Sequence, residues 1–481
     1  MIHLSKKRIY VVRNESMQEK GKVYPILQSK KVAIINLGCK VNKYESDAMI
    51  EKLQSAGMLI VEPEEYADVY IVNTCSVTNM AQRKSRQMLR RAKKRNLKAV
   101  IIAAGCYVNA EHDELLQEDF IDVLVGNNRK NEIVQVVAEY MEQLDDKSFL
   151  EKEHGDYYLD INKTKDYEEM GCLNVDVMNH QRAYIKVQDG CNQFCSYCII
   201  PYTRGRVRSR RPENILAEIE QLAMDGIKEF VLTGIHISSY GVDFADKDIE
   251  YDQVIDEKIT SDNSEQDTRY VKNLGELIYA IEQLPQVERI RLGSLEPRII
   301  TKDFLEMIGR SDKLCPHFHL SLQSACNETL KRMNRKYTIE EFMEKCELLR
   351  EFFDRPAITT DVIVGFPGET EDEFRVTVEN LERLNLYELH VFKYSVRSGT
   401  VAEKMPNQVS ENIKNERSDV LLAMTKKQKQ QYEDSLKGMK AEVLIEEMTK
   451  DGLYTGHTKR YVKVNVSSDE DIVNQVVCVK L

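Results

Sequence analysis

The sequence predicts a multidomain α/β protein: an N-terminal doubly wound parallel α/β domain, a central partial TIM-like (βα)6 barrel and a small C-terminal β-barrel. Three observations carry this reading. β-branched apolar runs alternate with helical segments twice over, first from residue 31 and again from residue 182. An acidic stretch without helical or strand periodicity separates the two alternations. The chain then ends in short, closely spaced strand-like runs punctuated by Gly and Asp.

Residues 1–29 read as a polar extension. In the N-terminal domain, 30–145, the runs "KVAIINLGC", "VYIVNTC" and "AVIIAAGC" fit buried parallel strands, with helices from Tyr44 to Gly57 and from Met80 to Arg95 between them. Each run ends in a small or turn residue and then a cysteine: Cys39, Cys75 and Cys106. Parallel strands deliver their C-terminal ends to one edge, so three thiols can converge there; three ordinary buried cysteines are the other reading. Residues 146–180 read as an acidic linker. Six strand runs then organise 181–410: 183–187, 229–232, 289–292, 317–322, 359–364 and 389–395. Helical patterns separate them at Pro212 to Met224, Asn273 to Glu282, Ile339 to Phe352 and Glu371 to Leu384. An acidic surface insertion, 242–272, interrupts this unit. A polar connecting helix, 411–437, leads to the β-rich end, 438–481.

The formal net charge is −11, which at first disfavours a nucleic-acid partner. Residues 145–170 and 242–272 carry −5 and −6, however, and so account for all of it. Local basic patches remain free to meet a polyanion. No run of about 18 apolar residues is present, and the N-terminus does not read as a signal peptide, so a cytoplasmic chain with no membrane contact is expected. Eleven cysteines in a reducing compartment suggest metal binding or catalysis before disulfides. Cys346 and Cys478 read as packing residues.

The densest chemistry is "DGCNQFCSYCIIPYTRGRVRSR", 189–210, just after the first barrel strand. Cys191, Cys195 and Cys198 stand at C-x3-C-x2-C spacing, which suits three irons of a [4Fe-4S] cluster and leaves a fourth iron open. A structural zinc site would need a fourth ligand, and no His or Cys lies within ten residues on either side.

This spacing, with Tyr197 before the last cysteine, resembles the signature of the radical S-adenosylmethionine (SAM) enzymes. "LTGIHISSYG", "RLGSLEP", "HLSLQSACNETLKRMNRKYT", "DVIVGFPGETEDEF" and "FKYSVRSGTVAEKM" resemble successive motifs of the methylthiotransferase family. The resemblance runs along nearly the whole chain and extends to a C-terminal TRAM domain. "LGCKVNKYES" and "NTCSVTNMAQRKSRQ" are most similar to its MtaB-type branch, which converts N6-threonylcarbamoyladenosine beside the anticodon of tRNA to the 2-methylthio derivative. Siblings act on N6-isopentenyladenosine or on a ribosomal-protein aspartate. An alternative of a different class is a non-catalytic RNA-binding protein with structural zinc.

The resemblance implies two [4Fe-4S] clusters, one on Cys191, Cys195 and Cys198 and one, carrying sulfur, on Cys39, Cys75 and Cys106. It implies two SAM per turnover, methyl donor and radical source, and an external electron donor such as flavodoxin or ferredoxin, with the sulfur source unspecified and the chain monomeric. SAM-facing candidates are Tyr197, Thr233, Gly234, Ser294, Glu296, Gln323, Gly365 and Pro367, at successive strand ends. Two basic runs are candidates for tRNA and its anticodon stem-loop. One is a helical face of Arg83, Arg86, Arg90 and Lys94. The other is Arg204, Arg206 and Arg208 beyond the cysteine loop, with Arg210 and Arg211, unless these pair with local acids.

Overall fold

The three apolar–Cys runs fold as expected into parallel strands, because each is flanked by apolar residues on both faces. The computed structural model describes residues 24–145, 155–171, 181–244, 271–309 and 311–481. Residues 1–23 of the extension and 245–270 of the acidic insertion lie outside these.

The N-terminal strands are β1 (Lys31–Asn36), β2 (Leu59–Ile60), β3 (Val69–Thr74), β4 (Val100–Gly105), β5 (Val123–Val125) and β6 (Gly155–Tyr157). They form one parallel sheet in the order β2-β1-β3-β4-β5-β6. This order reverses direction between β1 and β3, the switch point at which doubly wound sheets bind ligands. Helix Lys40–Ser55 begins immediately after Cys39, earlier than the sequence pattern placed it. Helix Asn79–Arg95 is capped by Thr78, whose hydroxyl accepts from the Ala81 N–H at 3.1 Å.

The stretch 155–171 departs from the linker expectation. β6 extends the N-terminal sheet, and Ile161 and Met170 are buried. Glu168 accepts from the Asn131 N–H at 2.8 Å, and Glu169 pairs with Arg210 at 2.5 Å. A three-residue strand is too short to show alternation, and these acids have partners that composition does not reveal.

The central unit contains β7 (Arg182–Asp189), the short β8 (Arg208–Ser209), β9 (Glu229–Gly234), β10 (Arg289–Leu292), β11 (His317–His319), β12 (Ala357–Val364) and β13 (Glu388–Lys393). β7, β9 and β10 run parallel, as do β11, β12 and β13. Parallel bridges at Ile290–Leu314 and Leu295–Leu320 join the two groups into a six-stranded partial barrel, while β8 turns back antiparallel along the end of β7. Helices Pro212–Met224, Leu274–Glu282, Ile339–Phe352 and Glu371–Leu384 cover its outside. Thr338 with Glu341, and Thr370 with Glu373, close reciprocal caps on the last two.

Helix Glu411–Ser435 packs along β13 and leads to β14 (Lys440–Met448), β15 (Tyr454–Thr458), β16 (Lys463–Val466) and β17 (Val476–Lys480). These form an antiparallel sheet in the order β16-β15-β14-β17, consistent with a small barrel. Cys346 is buried as expected, whereas Cys478 is exposed because it faces outward from its sheet. One apolar cluster runs from Val32, Tyr44 and Ile71 through Ile185 and Leu232 to Leu389, so the N-terminal sheet and the barrel share a core.

Candidate active site

Cys191, Cys195 and Cys198 lie on the loop that leaves the C-terminal end of β7. The Cys191 N–H donates to the Gly205 carbonyl at 3.0 Å, and the Cys198 N–H to the Cys195 carbonyl at 2.9 Å, which ties the loop in place. Each sulfur has an N–H donor. Gln193 N–H reaches Cys191 Sγ at 3.4 Å, Arg335 Nη1 reaches Cys195 Sγ at 3.4 Å, and the Ile200 N–H donates to Cys198. Burial pushes Cys191 up to about 11 and Cys198 up to about 12. Sulfurs so buried yet so supplied with donors suit thiolates held by a cationic group.

The second triad forms at the switch point. Gly38, with φ +105°, passes so close to Cys75 that a β-carbon there would lie 3.1 Å from Cys75 Sγ, which brings the ends of β1 and β3 together. Cys39 stands at the start of helix Lys40–Ser55, where the helix dipole favours an anion. Cys75 is raised to about 11 by burial first, with the neighbouring Cys106 and Cys39 adding to it and a hydrogen bond from the Val77 backbone opposing it. Cys106 Sγ accepts from Arg204 Nε at 3.3 Å and from Asn127 Nδ2 at 3.5 Å. Among the described residues, no three His, Cys, Asp or Glu side chains are grouped to grip a single metal ion. A four-iron cluster instead spreads its thiolates over different irons, and the all-sulfur, donor-rich triads fit that group.

Comparison with known proteins agrees with this geometry. A family model described as the Radical SAM superfamily matches residues 185–381, and one described as uncharacterized protein family UPF0004 matches 31–126. The chain is 38% identical to a protein of Bacillus subtilis strain 168 named threonylcarbamoyladenosine tRNA methylthiotransferase MtaB, over 94% of this chain and 93% of that one. The chain belongs to the radical SAM tRNA methylthiotransferase family. Another relative of the same name, from Aquifex aeolicus, is 36% identical over 86% of this chain and 92% of its own. A protein of Thermoanaerobacter pseudethanolicus named tRNA-2-methylthio-N(6)-dimethylallyladenosine synthase is 33% identical over 98% and 96%. Among solved structures, the radical SAM methyltransferase TsrM of Kitasatospora setae shares the fold, with a TM-score of 0.51, 14% identity and coverage of 76% and 73%. The radical SAM assignment implies a [4Fe-4S] cluster and SAM. No helix among the described residues is long and apolar enough to cross a membrane.

In this methylthiotransferase the expected SAM-facing residues are not equally open. Thr233 and Gly234 end β9, where Gly234 passes close to the Gln188 backbone. Ser294 is exposed, and Glu296 is buried with its carboxylate on Arg298 Nε at 2.6 Å. Gln323, at φ +76°, donates its N–H to the Asp361 carbonyl at 2.9 Å. Tyr197 packs edge-on to Phe366 at 6.3 Å. Gly365 and Pro367 are buried in a tight turn, and a β-carbon on Gly365 would run into the Lys414 side chain.

The arginine run requires a correction. Arg204 and Arg208 are 0% and 1% exposed, so neither can meet RNA phosphates. Arg204 Nη1 lies 2.9 Å from Glu45 and 3.0 Å from Asp189, and its Nη2 lies 2.6 Å from Asn42 Oδ1. Arg208 sits 3.8 Å from Asp189, and Arg210 is buried against Glu218 and Glu169. Only Arg206, stacked over Phe194 at 4.3 Å, and Arg211 are exposed. Asp189 and Glu218 lie close by in sequence, as the local-acid alternative allowed, whereas Glu45 and Glu169 come from distant segments that local composition could not pair with the run. On helix Asn79–Arg95, Arg83 and Lys94 are exposed, with Lys84 and Arg91 beside them. Arg86 pairs with Glu118, and Arg90 lies 3.6 Å from the same carboxylate while staying exposed.

Arg335 and Arg397 were missed as site residues, and Arg204, expected to meet RNA, instead serves Cys106. Arg335 joins Cys195 to Tyr337 and to the Ser321 carbonyl. Arg397, 2% exposed and rooted in the barrel, donates to Asn79 at 3.1 Å and to Gln82 on the N-terminal helix. Arg335 stands in the polar stretch "KRMNRKYT" and Arg397 in "SVRSGT", and no spacing rule names their partners.

Proposed function

We propose that the enzyme converts N6-threonylcarbamoyladenosine next to the tRNA anticodon to its 2-methylthio derivative. The observation that carries this reading is the adjacency of the two cysteine triads, which the Arg204–Gly205 segment bridges: Arg204 Nε donates to Cys106 Sγ and the Gly205 carbonyl accepts from the Cys191 N–H. The relatives named MtaB, at 36–38% identity, favour this base over the dimethylallyl one.

Cys191, Cys195 and Cys198 would hold the [4Fe-4S] cluster that binds SAM, and Cys39, Cys75 and Cys106 a second, sulfur-bearing one; bound, these supply hydrogen abstraction from an unactivated C–H and the sulfur that replaces it. The protein's own residues position and shield. Arg335 and Gln193 hold two of the loop sulfurs, and Arg204 and Asn127 hold Cys106. Thr233, Gly234, Ser294, Gln323 and Tyr197 line the strand ends where SAM would lie, one molecule as radical source and another as methyl donor. A small one-electron carrier such as flavodoxin or ferredoxin would supply electrons, and the cytoplasm is the expected compartment. Exposed Arg83, Lys84, Arg91, Lys94 and Arg206, with the C-terminal sheet as a TRAM unit, would hold the anticodon stem-loop by its phosphates.

Mass spectrometry of tRNA nucleosides from cells lacking and regaining the gene tests the proposal. The 2-methylthio form of threonylcarbamoyladenosine should vanish and return. If it is unchanged while the isopentenyl counterpart responds, the sibling reading holds instead.

A further inference from the structure

The lumen of the partial barrel is polar, and its charges do not balance. Along β7 the residues Ala183, Ile185 and Val187 join the apolar core, so Tyr184, Lys186 and Gln188 face the other way. The same alternation turns Glu229, Arg291, His317, His319, Asp361 and His390 inward, since Phe230, Ile290, Phe318, Val362 and Leu389 belong to the core. The inward acids are already engaged. Glu229 lies 2.6 Å from Arg291, and Asp361 lies 3.3 Å from His319 Nε2. At the floor, Glu446 is held by Arg182 and His457.

Lys40, the residue after Cys39, reaches into this space from the N-terminal domain. Its Nζ lies 5.9 Å from the centre of the Tyr184 ring, within the field of Arg182, Glu229, Arg291 and His317. It is accessible to solvent although protein surrounds it on most sides. It makes no ion pair among the described residues. Beside it His317 is only 8% exposed, and its Nδ1 has no hydrogen-bond partner. A cation without an ion-pair partner and an unpaired buried nitrogen within its field, both among the inward-facing polar side chains, call for an anion.

We propose that Lys40, with His317, receives the carboxylate of the threonyl arm of the substrate base, and so selects this base over one with an uncharged arm. The assignment rests on the function proposed above. An isopentenyl arm would leave Lys40 and His317 desolvated without a partner, the kind of mismatch that polar sites reject strongly. The arm hangs from N6 of the purine that carries the reacting carbon, so anchoring the carboxylate also helps to orient carbon 2.

The test uses cluster-loaded protein and anticodon hairpins bearing the threonylcarbamoyl base, its threoninamide analogue, unmodified adenosine or the isopentenyl base. Binding is read by fluorescence anisotropy at one salt concentration. The wild type should bind the carboxylate hairpin roughly tenfold or more tighter than the amide. Lys40→Gln should bring that ratio near one, and Lys40→Arg should restore most of it, with iron content equal in all three. Equal binding of carboxylate and amide by the wild type would overturn the assignment without any variant. So would an unchanged ratio in Lys40→Gln. If the wild type methylthiolates the threonylcarbamoyl hairpin yet ignores the carboxylate, only the Lys40 assignment falls. Product on the isopentenyl hairpin alone would overturn both.

Discussion

Replacing Arg204 by methionine should loosen the join between the N-terminal domain and the barrel. Its guanidinium is fully buried and pairs with Glu45 of the first domain and Asp189 of the second. Removing one partner of a buried ion pair costs about 3–5 kcal/mol, because the remaining charge stays desolvated. Glu45 keeps Lys130 and Lys186, and Asp189 keeps Lys186 at 2.7 Å, so the lower end, about 3 kcal/mol, is expected. Both carboxyls are held below their ordinary range despite the opposing effect of burial, Arg204 being the strongest favourable influence on each. The sign follows directly. A depressed carboxylate contributes stability above its unfolded value of about 4, and that stability is lost as pH falls toward the folded value. Without Arg204 both folded values rise, so the acid-induced loss should begin at higher pH. Urea denaturation of wild type and Arg204→Met between pH 7 and pH 3 measures both effects. Equal midpoints at pH 7 with superimposable acid limbs would refute the reasoning.

Cys75→Ala should abolish the methylthio product and lower iron from about eight to about four per chain, while cleavage of SAM to 5′-deoxyadenosine persists. Loss of cleavage in a folded variant would contradict separate roles for the two triads. Gly190→Ala should give no soluble protein with iron in the first site, since a β-carbon there would lie 1.8 Å from the Arg206 carbonyl oxygen; normal yield and iron content would refute that. Arg83→Ala with Lys94→Ala should weaken hairpin binding and lower the steepness of its salt dependence by about one unit per lost phosphate contact, whereas an unchanged slope would remove this face from the RNA site. Arg206→Ala, an exposed substitution, should leave stability within about 0.5 kcal/mol by urea denaturation.

Local chemistry determined much of this protein. The β-branched runs that became β1, β3 and β4, the helices Pro212–Met224 and Glu371–Leu384, and the C-x3-C-x2-C loop were legible because periodicity and spacing are properties of contiguous residues. β5 and β6 were not, since three residues show no period. The fate of each charged residue was decided only by folding. Arg204 and Arg83 look alike in sequence, yet one is buried against Glu45 and Asp189 while the other faces water. Glu45 stands 159 residues from Arg204, and no local pattern can pair them. Lys40 reads as an ordinary surface lysine until helix Lys40–Ser55 is laid beside β7. A side chain's type is written in the chain, but its dielectric surroundings and partners depend on which distant strands the fold brings beside it.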